Sequence, residues 1–262
     1  MGNLIQKQVF PGCPVANARQ RLTSQEFVVN DVCAVHGGRS DATRNATVVF
    51  FHGNLEDVSR TAYLWRRLRP KCLVGFEYPG YGWRKDEEPS QRAFLEDVPR
   101  RVRWMNVLNS GRKVILCGRS LGSFAALNLA VALGPDKCDG LVLLSPMLTA
   151  VATTVPKSVY RAFGPLDYAD NETLARRLHP SIPVFIAHGR QDKVVPLWNA
   201  EELARAFPAG SRHTFRTIEE AGHNNLTDST QLWNWVEDFV DEVIDGRALE
   251  SSPETTAFYP RA

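Results

Sequence analysis

Apolar positions along the chain come in short, dense runs that are too brief for helices and too continuous for one-sided strands. Residues 46–52, ATVVFFH, form the first, and 72–78, CLVGFEY, the second. Similar runs follow at 113–118, 140–145, 183–188 and 213–219. Each predicts a strand buried on both faces. Between them lie segments with helical spacing at 55–69, 90–109, 121–133, 196–207 and 229–245. Ser90 is placed to cap the second helix, and Pro99 should kink or divide it, since a proline ring removes a donor and crowds the preceding turn.

Strands alternating with helices imply an α/β fold, with a mostly parallel central sheet and helices on both faces. The domain is expected over 25–246, after an N-terminal segment at 1–24 and before a tail at 247–262 whose lack of periodicity predicts mobility. The stretch 149–180 breaks the rhythm. It is longer than a βα crossover needs and reads as a small lid or a long connection with a short helix.

Charge changes the picture little. A net charge of +2 over 262 residues gives no nucleic-acid surface, and the basic clusters at 66–69 and 100–103 read as solvated helix faces. The five cysteines are odd in number and none pair at metal-ligand spacing, no apolar run approaches a membrane span, and no secretory leader is recognisable. A reducing, cytoplasmic setting is the expectation. The start, MGNLIQ, carries the Gly2 that N-myristoylation requires, though Gln6 stands where that pattern wants Ser or Thr. Cys13 is the candidate for a second lipid, which stable peripheral attachment to a membrane would need.

The candidate chemistry sits at 118–122, GRSLG, where a buried strand must become a helix. Such a turn strains its central residue and leaves no room for side chains two positions away, which suits Gly118 and Gly122. Ser120 is then presented at the carboxyl edge of the sheet, with the Leu121 N–H beside it at a helix N-terminus. A serine hydroxyl needs a base, and the base an orienting acid. Asp192 in HGRQD and His223 in AGHNN both follow strands and complete the set in chain order. The oxyanion of a tetrahedral intermediate needs two donors. Leu121 supplies one, and the Asn54 N–H, after the His-Gly turn of VVFFHGN, is the candidate for the other, with Gly53 allowing close approach. His52 is expected to be structural, and His188 to pack. No HExxH, CxxC, GxGxxG or GxxxxGK pattern calls for a metal or nucleotide, so no cofactor is expected.

Together FHGN (51–54), EYPGYG (77–82), GRSLG, HGRQD and AGHNN resemble the serine-hydrolase branch of the α/β-hydrolase superfamily, and within it the Bem46-like group that includes depalmitoylases of the α/β-hydrolase-domain class. The resemblance implies ester, thioester or amide hydrolysis through an acyl-enzyme, without a cofactor. It carries the nucleophile onto Ser120, the acid onto Asp192, the base onto His223 and oxyanion donors onto Asn54 and Leu121. Against that family, the hairpin region at 25–45 looks reduced. The substrate expected is an acyl ester or acyl-protein. A lysophospholipase or monoacylglycerol lipase would share every one of these residues. A non-enzymatic interaction protein is the third alternative. A dehalogenase or epoxide hydrolase is excluded, because those need a carboxylate where Ser120 stands. Val155, Tyr160, Phe163 and Leu166 are candidates to line an acyl pocket.

Overall fold

The computed structural model describes residues 9–14, 26–29, 33–37, 45–65, 67–68, 72–108, 111–160, 162 and 168–246. In chain order the first elements are β1 (Cys13–Pro14), β2 (Glu26–Val29), β3 (Cys33–Gly37), β4 (Ala46–Phe51), α1 (Val58–Trp65), β5 (Cys72–Phe76), β6 (Tyr81–Gly82), α2 (Gln91–Glu96) and α3 (Val98–Leu108). There follow β7 (Lys113–Arg119), α4 (Gly122–Leu133), β8 (Gly140–Leu144), α5 (Lys157–Tyr160), α6 (Asn171–Arg177), β9 (Val184–Gly189), α7 (Trp198–Ala206), β10 (His213–Ile218) and α8 (Thr230–Asp245).

Eight strands make one sheet in the order β10-β9-β8-β7-β4-β5-β3-β2. From β10 to β5 every neighbouring pair is parallel. The chain builds outward from β4 in one direction and from β7 in the other, so these two strands flank the switch point. In open α/β sheets the crevice beyond the carboxyl ends at that point is where sites form.

The near-continuous apolar strands are explained by parity. Val48 and Phe50 of β4, with Ile115 and Cys117 of β7, face a core closed by α8. Val49 and Phe51, with Val114 and Leu116, face the opposite core with α4. Alternate side chains point to opposite faces, and both faces are covered. Helix α8 buries Leu232, Trp233, Val236, Phe239, Val240 and Val243, the stripe that helical spacing predicts.

Element ends have local causes. Helix α1 starts three residues later than 55 because the Asp57 carboxylate caps it, accepting the Ser59 and Arg60 N–H groups at 2.9 and 3.1 Å. Strand β5 stops at Phe76, beyond which Glu77 takes the N–H of Tyr78 with its own side chain at 3.1 Å. Pro99 divides the 90–109 segment: α2 ends at Glu96 and Pro99 sits in the first turn of α3, where its missing N–H costs nothing.

Three expectations need correcting. The basic cluster at 100–103 is not wholly a solvated face. Arg101 is 1% exposed, stacks over the rings of Phe51, Tyr78 and Phe94, and donates to Asp97 at 3.1 Å. The N-terminal hairpin is present, as strands of four and five residues paired antiparallel, and β3 joins β5. Residues 9–14 are not apart from the domain. Phe10 is buried against Phe94 and Phe124, and β1 pairs with β6.

The 149–180 stretch contains a 3-10 turn at Val151–Thr153, α5 and α6. Tyr160 packs on Trp198 in the core, and Val155 lies against the same cluster, while Phe163 and Leu166 lie outside the described residues. Gly2 and the 247–262 tail also lie outside them.

Candidate active site

The turn from β7 into α4 is shaped by absence of side chains. A Cβ on Gly118 would sit 2.4 Å from the Gly122 carbonyl oxygen, and one on Gly122 would sit 2.1 Å from that of Phe51. The start of α4 is thus pressed against the end of β4. Ser120 takes a positive φ of 53°, a conformation costly for a residue with a Cβ and found where surrounding structure enforces it. That enforcement is visible: the Ser120 N–H donates to Leu144 O at 2.9 Å, and its carbonyl accepts from the Ser123 N–H and hydroxyl at 2.9 and 2.6 Å.

The three residues singled out for acyl transfer come together. His223 Nε2 lies 3.0 Å from Ser120 Oγ, and His223 Nδ1 lies 2.7 Å from Asp192 Oδ2. The other carboxylate oxygen of Asp192 accepts the N–H groups of Val194 and Val195 at 2.9 and 2.7 Å. Burial alone would raise the Asp192 pKa. Hydrogen bonds from His188 and His223, the charge His223 can carry and the Val195 N–H outweigh it and hold the carboxyl well below the usual range. An ionised Asp192 accepts from Nδ1–H, so the neutral imidazole turns an acceptor nitrogen toward Ser120. The Gly189 backbone approaches Ala221 so closely that a Cβ would lie 2.4 Å from its carbonyl oxygen, which locks the Asp192 loop to the His223 loop. Asn225 steadies the latter by accepting the Gly222 N–H at 2.7 Å.

The loop after β4 is held by a buried pair. His52 and Glu77 side chains are both 0% exposed, with Nε2 2.8 Å from Oε1. His52 Nδ1 faces the Gly53 carbonyl at 2.9 Å. Both ring nitrogens therefore face acceptors, which a doubly protonated imidazole satisfies. Burial opposes that charge, but the Glu77 carboxylate and the two hydrogen bonds outweigh it and raise the His52 pKa. The consequence reaches Asn54. The Gly53 carbonyl and the Asn54 N–H share one trans peptide, so binding the carbonyl to His52 aims the N–H the opposite way. The Asn54 side chain is fixed separately, its Oδ1 accepting from Tyr81 Oη at 2.9 Å.

A family model described as "Serine aminopeptidase, S33" matches residues 42–169, which include Ser120 and stop short of Asp192 and His223. The chain is 28% identical to the lysophosphatidylserine lipase ABHD12 of Macaca fascicularis over 208 residues, 71% of this chain and 51% of that protein. It is 25% identical to the uncharacterized membrane protein YNL320W of Saccharomyces cerevisiae over 173 residues, 64% of this chain and 60% of that one. It thus spans half to three fifths of these curated relatives. Est1E from Butyrivibrio proteoclasticus, solved with ferulic acid bound, superposes with a TM-score of 0.64 at 16% identity, over 85% of this chain and all of that one. The chain has the α/β-hydrolase fold.

Several residues matter at the site beyond those given a catalytic role from the sequence: Glu77 and Arg119 were not singled out, and His188 was expected only to pack. Glu77 and His188 are fully buried partners of His52 and Asp192. His188 Nε2 lies 2.8 Å from Val195 O and 3.4 Å from Asp192 Oδ2. Arg119, inside the GRSLG motif itself, pairs with Glu56 and donates to the His223 carbonyl at 3.0 Å. The available signal was positional: His52, Glu77, Arg119 and His188 all stand at or just past the carboxyl ends of strands. Among the described residues no group of three or more His, Cys, Asp or Glu could hold a metal ion. Cys13 is partly exposed, with Sγ 3.3 Å from Leu55 O, and burial pushes its thiol pKa up.

Proposed function

We propose that this α/β-hydrolase cleaves carboxylic esters or thioesters through an acyl-enzyme on Ser120. The observation that carries the reading is the line of contacts from Ser120 Oγ to His223 at 3.0 Å and from His223 to Asp192 at 2.7 Å, at the switch point of the sheet. Ser120 Oγ attacks the acyl carbonyl while His223 Nε2 takes its proton, and Asp192 stabilises the imidazolium. The N–H groups of Leu121 and Asn54 are assigned to the oxyanion. The intermediate collapses, the alcohol or thiol leaves with the proton from His223, and water repeats the sequence to free the acid. No step calls for a cofactor.

A lysophospholipid or monoacylglycerol substrate is the second reading, favoured by the similarity to a lysophosphatidylserine lipase. An acyl-protein thioester is the third. All three use the same residues and differ in leaving group. A protein that only binds partners would have no use for an aligned and ionised Asp192. The test is hydrolysis of p-nitrophenyl esters from acetyl to palmitoyl, matching thioesters, and lysophosphatidylserine, with Ser120→Ala as control. Ser120-dependent turnover of any of them supports the reading, and full turnover by Ser120→Ala overturns it. Chain-length and headgroup preference then separate the substrates.

Lipid attachment at Gly2 and Cys13, with cytoplasmic and peripheral membrane residence, is a separate proposal. Incorporation of an alkynyl myristate that Gly2→Ala abolishes would support it, and no incorporation into the parent chain would dismiss the Gly2 half.

A further inference from the structure

We propose that Glu56 and Arg119 form a brace that fixes the loop after β4 and the His223 loop relative to Ser120, which makes Arg119 a positioning residue for the reaction proposed above, on whose reading this inference rests. Arg119 immediately precedes the nucleophile. One guanidinium nitrogen, Nη1, pairs with Glu56 Oε1, and the other, Nη2, donates to the His223 carbonyl oxygen at 3.0 Å. Glu56 Oε2 in turn accepts the Gly53 N–H at 2.6 Å. One side chain thus refers the base to the nucleophile, and through Glu56 it refers the His52–Gly53 peptide, and with it the loop that carries Asn54, to both.

The surroundings are built around this pair. A Cβ on Gly53 would lie 2.9 Å from Glu56 Oε2 and 3.0 Å from Arg119 Nη1, so any other residue there would push into the brace. Arg119 is 5% exposed, at the end of a strand whose preceding positions are almost all apolar and beside Leu144 of β8. Its Nε has no hydrogen-bond partner among the described residues. An unsatisfied buried donor costs about 1–3 kcal/mol, so packing alone would favour an aliphatic residue here. The planar fork of arginine holds two acceptors at a set angle, which the single ammonium of lysine does not. His223 must stay within reach of Ser120 while its ring gains and loses charge. Pinning its backbone, rather than its ring, leaves both ring nitrogens for the reaction.

The test avoids dependence on the natural substrate. A fluorophosphonate probe forms a bond from Ser120 Oγ to phosphorus, expels fluoride and passes the serine proton to His223. The limiting rate (kinact) and the half-saturating concentration (KI) are measured for the parent chain, Arg119→Met, Arg119→Lys, Glu56→Gln and the Glu56→Gln/Arg119→Met pair. The expected result is a fall in kinact of about ten- to a hundredfold in Arg119→Met, with KI within twofold and partial recovery in Arg119→Lys. The double variant should lose no more than the worse single one, as coupled residues do. The low-field proton resonance of the His223–Asp192 hydrogen bond should shift in folded Arg119→Met, which loss of stability alone would not produce. A folded Arg119→Met with kinact within twofold of the parent, additive losses, or an unmoved resonance overturns the brace. If the Arg119 variants do not fold, Glu56→Gln decides, since the Glu56 side chain is 24% exposed and its change is isosteric. Ser120→Ala is run alongside: labelling that survives it overturns the proposed function, whereas Ser120-dependent labelling indifferent to Arg119 and Glu56 overturns the brace alone.

Discussion

His52 and Glu77 stand just past the ends of neighbouring parallel strands, and their side chains meet at 2.8 Å with neither reaching solvent. The register of β4 on β5 offsets paired residues by 25 positions, and the same offset carried one step past the strands brings this pair together. Removing one partner of a buried ion pair strands the other, at about 3–5 kcal/mol. Glu77→Gln should therefore lower Tm by several degrees. The folded pKa of His52 is raised, so its stabilisation is complete below the unfolded value of about 6.5 and fades as pH climbs through the higher folded value. Urea midpoints from pH 6 to 9 should show this decline in the parent chain and a flatter profile in Glu77→Gln. Parallel profiles would refute a charged His52.

Asp192 has the opposite sign. Its folded pKa is depressed, so its stabilisation is present above an unfolded value of about 3.9 and lost as pH falls toward the folded one. Asp192→Asn should flatten the acid limb of the unfolding curve. It should also cut kcat by about four powers of ten, because an amide donor turns the wrong His223 tautomer toward Ser120. Circular dichroism and turnover on one sample check both, and a mutant active within tenfold would remove Asp192 from the mechanism.

The elbow glycines should differ sharply from a capping glycine. Gly122→Ala drives a methyl to 2.1 Å from a backbone oxygen of β4, which cannot yield without parting the sheet from α4. Expression of folded protein should fail or Tm drop by more than ten degrees. Gly246, at the end of α8 with φ 66° and nothing within 4 Å, should accept alanine for about 1–2 kcal/mol of left-handed strain. Equal Tm values for the two variants would contradict the packing described at the turn.

Phe10→Ala should act locally. The ring anchors residues 9–14 against Phe94 and Phe124, and truncating a buried Phe costs about 3–5 kcal/mol. Exchange of the Cys13 amide, which donates to Gly80 O at 3.1 Å, should accelerate strongly while core amides of α8 keep their protection. Uniform acceleration would mean that the segment is integral to global stability.

The five strands β4, β5, β7, β8 and β9 were readable to within a residue or two because burial on both faces leaves few polar positions, whereas β10, HTFRTI, is a half-buried edge strand that was found without that signal. Ser120, Asp192 and His223 were readable as candidates because each follows a strand, though only the order of strands in the sheet makes them neighbours. The burial of Arg101 was not readable, since it depends on Asp97 and on rings from β4, the 77–82 turn and α2 that its own cluster does not reveal. Nor was the raised pKa of His52, whose partner Glu77 lies just past another strand. Arg119 was hidden in plain view as the variable position of a motif whose glycines and serine carry the recognisable signal.

Ser120 and His223 meet across 103 positions of chain, and β9 and β10 must both be in place before they do. A ribosome making this protein therefore releases the hydroxyl long before the imidazole. Until β10 and the loop after it are laid down, Ser120 lacks its His223 neighbour. On the mechanism proposed above, reactivity arrives late, because a chain that stops short of His223 holds no base for Ser120. In refolding, recovery of helical signal should precede recovery of probe labelling, and the lag between them times the closing of that edge.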